Sequence, residues 1–250
     1  MNPILPFELG FAGLFFIILV IYALLIRKRP DRPLREIPAF ARLGRSVGLA
    51  VEAGKRLHIS LGYGGVNDVP GASGLVGLTM LQRIARAASI SDKPPIATSG
   101  EGTLGILSQD TLHSAYQAIR SESLFDPMYG QISGLTPFSY AAGTLPVIFD
   151  QQVSTTVLAG HFGSEVALIV DANERVGSYT LAGSDNLEAQ AVLYASAQDP
   201  LIGEELYAGG AYLNAGLMHQ ASIRTQDVMR WVVILGILLG SMLKLFGVIK

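Results

Sequence analysis

The chain has 250 residues, half of them hydrophobic and 15% charged, with no cysteine and a formal net charge of −2. The absence of thiols excludes disulfides, thiolate metal sites and cysteine nucleophiles. The charge is uneven: residues 36–229 hold 18 acidic against 10 basic side chains. That balance argues against nucleic acid as a partner, because a face that binds phosphates needs lysine and arginine in excess.

In chain order, the first feature is the charge-free apolar run from Leu9 to Ile26. At 1.5 Å per residue such a helix is about 27 Å long, close to the hydrocarbon thickness of a bilayer. A cleaved signal peptide opens with positive charge and ends in a small-x-small site. Here Glu8 precedes the run and the basic residues follow it, so the run reads as a retained anchor. Arg27, Lys28, Arg29, Arg32 and Arg35 stand against Asp31 alone. Such a cluster is held by anionic headgroups at about 1 kcal/mol per charge. A second apolar run, Trp231 to Val248, is broken only by Lys244. Lysine and arginine stay in the cytoplasm during insertion. The expectation is a two-pass protein of a bacterial cytoplasmic (inner) membrane, with the lipid bilayer as its partner. Residues 1–8 are then extracytoplasmic, 9–26 and 229–248 span, 27–36 form a basic linker, and 37–226 form a cytoplasmic domain. Gly236 and Gly240 stand four apart in the second run, a spacing that lets helix backbones approach. They are candidates for oligomerisation or for pairing with the first span.

Between the spans, Ile37 to Gly54 carries apolar residues at helical intervals and predicts an amphipathic helix. A repeating order of strand, small-residue turn and helix follows. Strands are predicted at 57–61, 95–99, 154–159 and 178–182, and helices at 73–88, up to 120, 164–175 and from 186. Pro200 breaks the last of these, and a further helix is expected through Leu217. The stretch 121–152 holds Pro127, Pro137 and Pro146 and predicts a long connection with one short helix. Alternating strands and helices give the fold class: α/β, a Rossmann-like, mostly parallel sheet flanked by helices, with one transmembrane helix at each end.

In such a sheet the strand-to-helix turns gather at the carboxyl edge, where ligands of open α/β sheets bind. The candidate ligand-binding residues are therefore Gly62, Gly64, Ser99, Gly100, Glu101, Gly102, His161, Ser184 and Asp185. Their other reading is tight turns and ordinary helix N-caps. Gly100-Glu101-Gly102-Thr103-Leu104-Gly105 matches G-x-G-x-x-G after a strand and before a helix. Glu101, however, would set a negative charge beside the pyrophosphate, and no acid follows at a second strand end. His58, His113, His161 and His219 show no metal-ligand spacing, so no metal site is expected. His161 alone lies in a turn where acid–base chemistry would want it. There is no G-x-S-x-G elbow and no P-loop, so no cofactor and no catalytic residue is assigned.

Several strings carry a family resemblance: Val51-Glu52-Ala53-Gly54-Lys55, His58-Ile59-Ser60-Leu61-Gly62, Ala159-Gly160-His161-Phe162-Gly163, Ala182-Gly183-Ser184-Asp185-Asn186, Ala189-Gln190-Ala191-Val192-Leu193-Tyr194-Ala195 and Asp199-Pro200-Leu201-Ile202-Gly203-Glu204-Glu205-Leu206. From Ile37 to Leu213 the chain resembles an uncharacterised bacterial family of membrane-anchored α/β domains of unknown function. The resemblance implies an anchored α/β domain and brings no reaction, ligand or partner. The expected function is that of a structural or assembly component of a homo-oligomeric or larger membrane complex. The alternative is a membrane-tethered small-molecule binder or enzyme, for instance a nucleotide binder, using the carboxyl edge of the sheet.

Overall fold

The computed structural model describes residues 5–28, 34–68, 70–88, 91 and 93–246. Residues 29–33 of the expected basic linker lie outside the described residues, as do 1–4 and 247–248 of the expected terminal segments. The chain divides into two compact units, Ile37–Ala215 and the segments that flank it.

The flanking unit holds α1 (Leu5–Lys28) and a long C-terminal helix. The central unit begins with α2 (Pro38–Glu52), started by Pro38 in the first turn and ended at Gly54 with φ +61°. There follow β1 (Arg56–Gly62), α3 (Gly71–Ala88), β2 (Ile96–Ser99), α4 (Gly102–Ala118), β3 (Gly130–Ile132), α5 (Pro137–Asp150), β4 (Val153–His161), α6 (Val166–Arg175), β5 (Tyr179–Ser184), α7 (Leu187–Ser196), β6 (Asp199–Leu201) and α8 (Gly209–Tyr212). The last element, α9, runs unbroken over Leu217–Leu245, so the boundary expected between 226 and 229 falls inside a helix.

Among the described residues the sheet has six strands in the order β3-β2-β1-β4-β5-β6, all pairs parallel. One face is covered by α2, α3 and α4 over Leu43, Leu57, Ile59, Leu81 and Val157. The other is covered by α5, α6 and α7 over Tyr140, Leu158, Phe162, Ile169 and Leu193. Alternation along β1 explains the split: Leu57, Ile59 and Leu61 enter the first core, while His58 and Ser60 turn to the opposite face. Each fully buried aliphatic side chain contributes roughly 1.5–3 kcal/mol.

Three expectations are corrected. The stretch 121–152 is not a loose connection: it contains strand β3 and the fourteen-residue helix α5. Pro137 occupies a first-turn position, where the missing N–H costs nothing, and Thr136 and Ser139 form a capping box ahead of it. Pro146 lies inside α5, which continues through it. The segment 199–217 is likewise not one helix: it forms strand β6, a 3-10 turn at Gly203–Ala208 and the short α8. His161 and Ser184, expected in turns, complete strands β4 and β5 instead.

In the flanking unit, α1 and α9 pack against each other. Both are long and apolar enough to cross a membrane, and their surfaces are almost wholly exposed. Ala221, Thr225 and Met229, four apart, form a buried stripe on α9.

A polar layer lies beneath α5. Tyr140 Oη sits 2.5 Å from Ser60 Oγ and 3.2 Å from Thr98 Oγ1, and accepts from the Gly62 N–H at 3.3 Å. His58 Nε2 lies 2.9 Å from Thr98 Oγ1, while its Nδ1 has no partner. Full burial of the ring lowers the His58 pKa from 6.5 to about 3. Below pH 6.5 the unfolded chain therefore takes up a proton that the native state refuses until near pH 3. Stability is full above pH 6.5 and falls as the pH drops, by about 2 kcal/mol at pH 5. Thermal unfolding of the full chain in detergent at pH 7 and pH 5 checks this. The transition of the wild type should fall more on acidification than that of His58→Gln; superimposable pH profiles would refute it.

Candidate functional site

The strand order reverses between β1 and β4, and the carboxyl ends of those two strands are where an open α/β sheet presents its ligand crevice. Tyr63 follows β1 directly and His161 closes β4. Asp185 follows β5, and Glu165 ends the turn before α6. The fold thus delivers four polar side chains from three neighbouring strands to one place.

His161 Nδ1 lies 2.7 Å from Asp185 Oδ1. A carboxylate can only accept, so the pair assigns a proton to Nδ1; in the neutral ring Nε2 is then an acceptor. No residue among those described bonds to Nε2. The Tyr63 ring stands edge-on to the imidazole, with centroids 5.3 Å apart and planes at 78°. Buried Glu165 accepts the Gly163 N–H at 2.7 Å through Oε1. A Cβ on Gly163 would lie 2.6 Å from Glu165 Oε2 and 3.0 Å from Tyr63 Oη, so both groups converge over that glycine. Burial, and then the charges of Glu165, Asp185 and Glu188, push the Tyr63 phenol above its ordinary pKa. Burial and Asp185 do the same to Tyr207. This edge therefore disfavours further negative charge.

The other predicted residues take different parts. Gly62 (φ +73°) and Gly64 hold the turn after β1 against His161: a Cβ on either would meet it, at 2.2 Å from the carbonyl oxygen and 2.7 Å from the Cβ. Gly100 packs against Tyr63, 2.5 Å from where a Cβ would be, and donates its N–H to Gly62 O at 2.8 Å. These glycines bring chain segments together and do not hold space open for a ligand. Gly102 has nothing within 4 Å of a Cβ position. Glu101 caps α4, accepting from Leu104 N at 2.9 Å and from Thr103 Oγ1 at 2.9 Å. Burial opposes its ionisation, but these bonds outweigh burial and hold its pKa below the usual carboxylate range. Its carboxylate sits where a pyrophosphate would meet the helix N-terminus. Ser99 is buried with an unpartnered hydroxyl. Ser184 stitches β5 to β4 by accepting from Phe162 N at 3.1 Å.

Sequence reasoning missed Tyr63 and Glu165. Tyr63 stood between two glycines of a recognised turn, which was the available signal. Glu165 left none, because its importance comes from burial beside Gly163.

At the opposite, amino edge, Arg42 of α2 makes a forked contact to Asp199, with Nε at 2.9 and 2.8 Å from the two oxygens, and Tyr179 Oη lies 2.5 Å from Asp199 Oδ2. Burial resists ionisation of Asp199, and the Arg42 and Tyr179 bonds overcome it and lower its pKa. This cluster anchors α2 to the sheet. Two clefts also lie away from the carboxyl edge. One of about 380 Å³ runs between α2 and α3, and one of about 280 Å³ is lined by Ser178, Thr180 and Gln198. Among the described residues, no group of three histidines or carboxylates could hold a metal ion.

The chain belongs to a family described as a domain of unknown function, DUF6754. The family's match covers residues 6–250, both apolar helices included. No curated protein and no solved structure matches the chain.

The glycines give a direct check. A Cβ on Gly160 would lie 1.9 Å from Leu61 O, against open space at Gly102. Gly160→Ala should cost about 2 kcal/mol or more, and Gly102→Ala should stay within about 0.5 kcal/mol of the wild type. Denaturant unfolding of the full chain in detergent measures both. Equal losses at the two positions would contradict the packing described.

Proposed function

We propose that this chain is a membrane-tethered binding protein whose site is the carboxyl edge of the sheet at the β1/β4 reversal, and whose ligand is a small neutral or amine-bearing molecule. The His161–Asp185 pair carries the reading. It costs side-chain order to hold an imidazole against a carboxylate with Nε2 free, and the arrangement is the one a hydrogen-bond acceptor or general base requires. Nε2 then receives a hydroxyl or ammonium proton of the ligand, with Tyr63 packed beside the ring.

Charge supports the ligand class. The segments that follow the strands, 63–70, 100–101, 133–136, 162–165, 185–186 and 202–208, contain Asp68, Glu101, Glu165, Asp185, Glu204 and Glu205 and neither lysine nor arginine. An anionic ligand such as a nucleotide would meet repulsion here and find the α4 N-terminus already taken by Glu101. In the same proposal both long helices cross a bacterial cytoplasmic membrane and the domain faces the cytoplasm. The five basic residues within 27–35 support that orientation.

A second reading, assembly into a homo-oligomer or larger membrane complex, is favoured by one observation. Nothing lies within 4 Å of a Cβ position on Gly236 or Gly240, so that face of α9 is open to another helix. Native mass measurement in mild detergent tests it: a strict monomer with no companion would reject it.

For the binding site, thermal-shift measurements on the detergent-solubilised full chain compare amines, polyols and sugars with nucleotides. Stabilisation by a neutral or cationic compound, lost in both His161→Gln and Asp185→Asn, is the expected result. Stabilisation by nucleotides alone, or any stabilisation that survives both substitutions, would overturn the assignment.

A further inference from the structure

The cleft between α2 and α3 joins an apolar wall to positive charge. The wall is made by Leu43 and Val47 of α2, Ile84 of α3 and Leu213, which follows α8. Two cations line the same cleft, Arg83 and Arg86, one helical turn apart on α3. Arg83 is half-buried and donates from Nε to Leu213 O at 2.8 Å, which holds its guanidinium at the cleft. That bond uses one of the five N–H donors of the group. Arg86 is exposed.

These cations stand in an otherwise acidic body. The segments that build the cleft, 37–51, 71–88 and 209–216, hold Arg42, Arg45, Arg83 and Arg86 and no acid, whereas residues 36–229 carry 18 acidic against 10 basic side chains. Arg42 is spent on Asp199, and the two arginines of α3 line the cleft. Guanidinium groups beside an apolar wall suit an anion that carries an alkyl chain: a carboxylate takes paired N–H donors and the chain takes the wall. A bare anion would leave the wall unused, and a neutral chain would make no use of the two charges. Size narrows the class. The cleft holds about 380 Å³. That is roughly a dozen waters at about 30 Å³ each, and a methylene has similar bulk, so one chain of roughly ten carbons fits and the two acyl chains of a phospholipid do not. Gly44 contributes to the width, since nothing lies within 4 Å of its Cβ position.

We propose that the α2/α3 cleft binds a single-chain anionic amphiphile of the fatty-acid class, with its carboxylate on Arg83 and Arg86 and its chain along Leu43, Val47 and Ile84. This site is separate from the carboxyl edge of the sheet and does not depend on the ligand proposed there.

The test is photolabelling of the full chain, in phosphatidylcholine nanodiscs, with a diazirine-bearing decanoate, followed by mapping of the modified peptides. Label should fall on segments 43–47 and 83–87. Decanoate should suppress it at about a tenfold lower concentration than decanol or decyltrimethylammonium, the difference that charge-assisted bonds to arginine supply. Gly44→Phe should remove most of the label without lowering the thermal transition, because its ring enters open space in the cleft. Arg86→Gln, at an exposed position, should weaken labelling several-fold. Should Gly44→Phe lower the thermal transition, Arg86→Gln and the decanol comparison decide. Label that maps elsewhere, or that survives Gly44→Phe, would overturn the site. Equal suppression by decanol, or indifference to Arg86→Gln, rejects an anionic ligand. Suppression by phosphatidylglycerol added to the nanodisc, in place of decanoate, rejects a single-chain one.

Discussion

The close approach of β1 and β4 is the constraint from which the rest of the central unit follows. These two strands sit side by side although the chain visits β2 and β3 between them. Their carboxyl ends are drawn together by residues without side chains: a Cβ on Gly160 would strike Leu61 O, and one on Gly62 would strike His161 O. Helix α3 crosses the same spot because Gly77 lets it rest on the Ala159 carbonyl, 2.2 Å from where a Cβ would be. Any bulk at these positions would splay the strands and move His161 away from Tyr63 and Asp185. The site geometry is a consequence of backbone proximity before it is a matter of side chains.

The two faces of the sheet are held by different means. The face under α2, α3 and α4 is an aliphatic core with polar ties at its rim, Arg42 to Asp199 and Ser46 to Thr155 at 2.6 Å. The face under α5 buries His58, Ser60, Thr98 and Tyr140 in one linked group. Buried polar groups of this kind contribute little net stability but punish misalignment, since an unmet donor or acceptor costs about 1–3 kcal/mol. The Tyr140 hydroxyl reads two strands at once, β1 through Ser60 and the Gly62 N–H and β2 through Thr98. It therefore fixes where the β1 turn, and Tyr63 within it, emerges.

The fold class was legible because the strands of a parallel sheet buried on both faces are continuous small or apolar runs, and because glycine-rich turns punctuated them. What escaped was short or proline-marked. Strand β3 has three residues and contains Gly130, too little pattern to register. Helix α5 holds two prolines, one harmless at its start and one inside, and proline reads as a breaker in either place. Strand β6 hides Pro200 at the sheet edge, where a missing N–H is tolerated. For the site, His161 and Asp185 could be named from their turns. Their pairing could not, because residues 24 apart in sequence meet only through the β4–β5 register.

That register also separates function from helix capping. Helices flanking a parallel sheet point their N-termini at its carboxyl edge, so acids collect there to meet unpaired N–H groups and the positive end of the dipole. Glu101 is such an acid, since its carboxylate is spent on Leu104 and Thr103. Asp185 is not. Helix α7 is capped by Asn186, whose Oδ1 accepts from Glu188 N at 2.9 Å, and Ser184 faces inward to Phe162. With the cap supplied by its neighbour, Asp185 is left to the imidazole. An acid that the helix does not need, held against a histidine that the core does not need, is the part of this edge that folding alone does not explain.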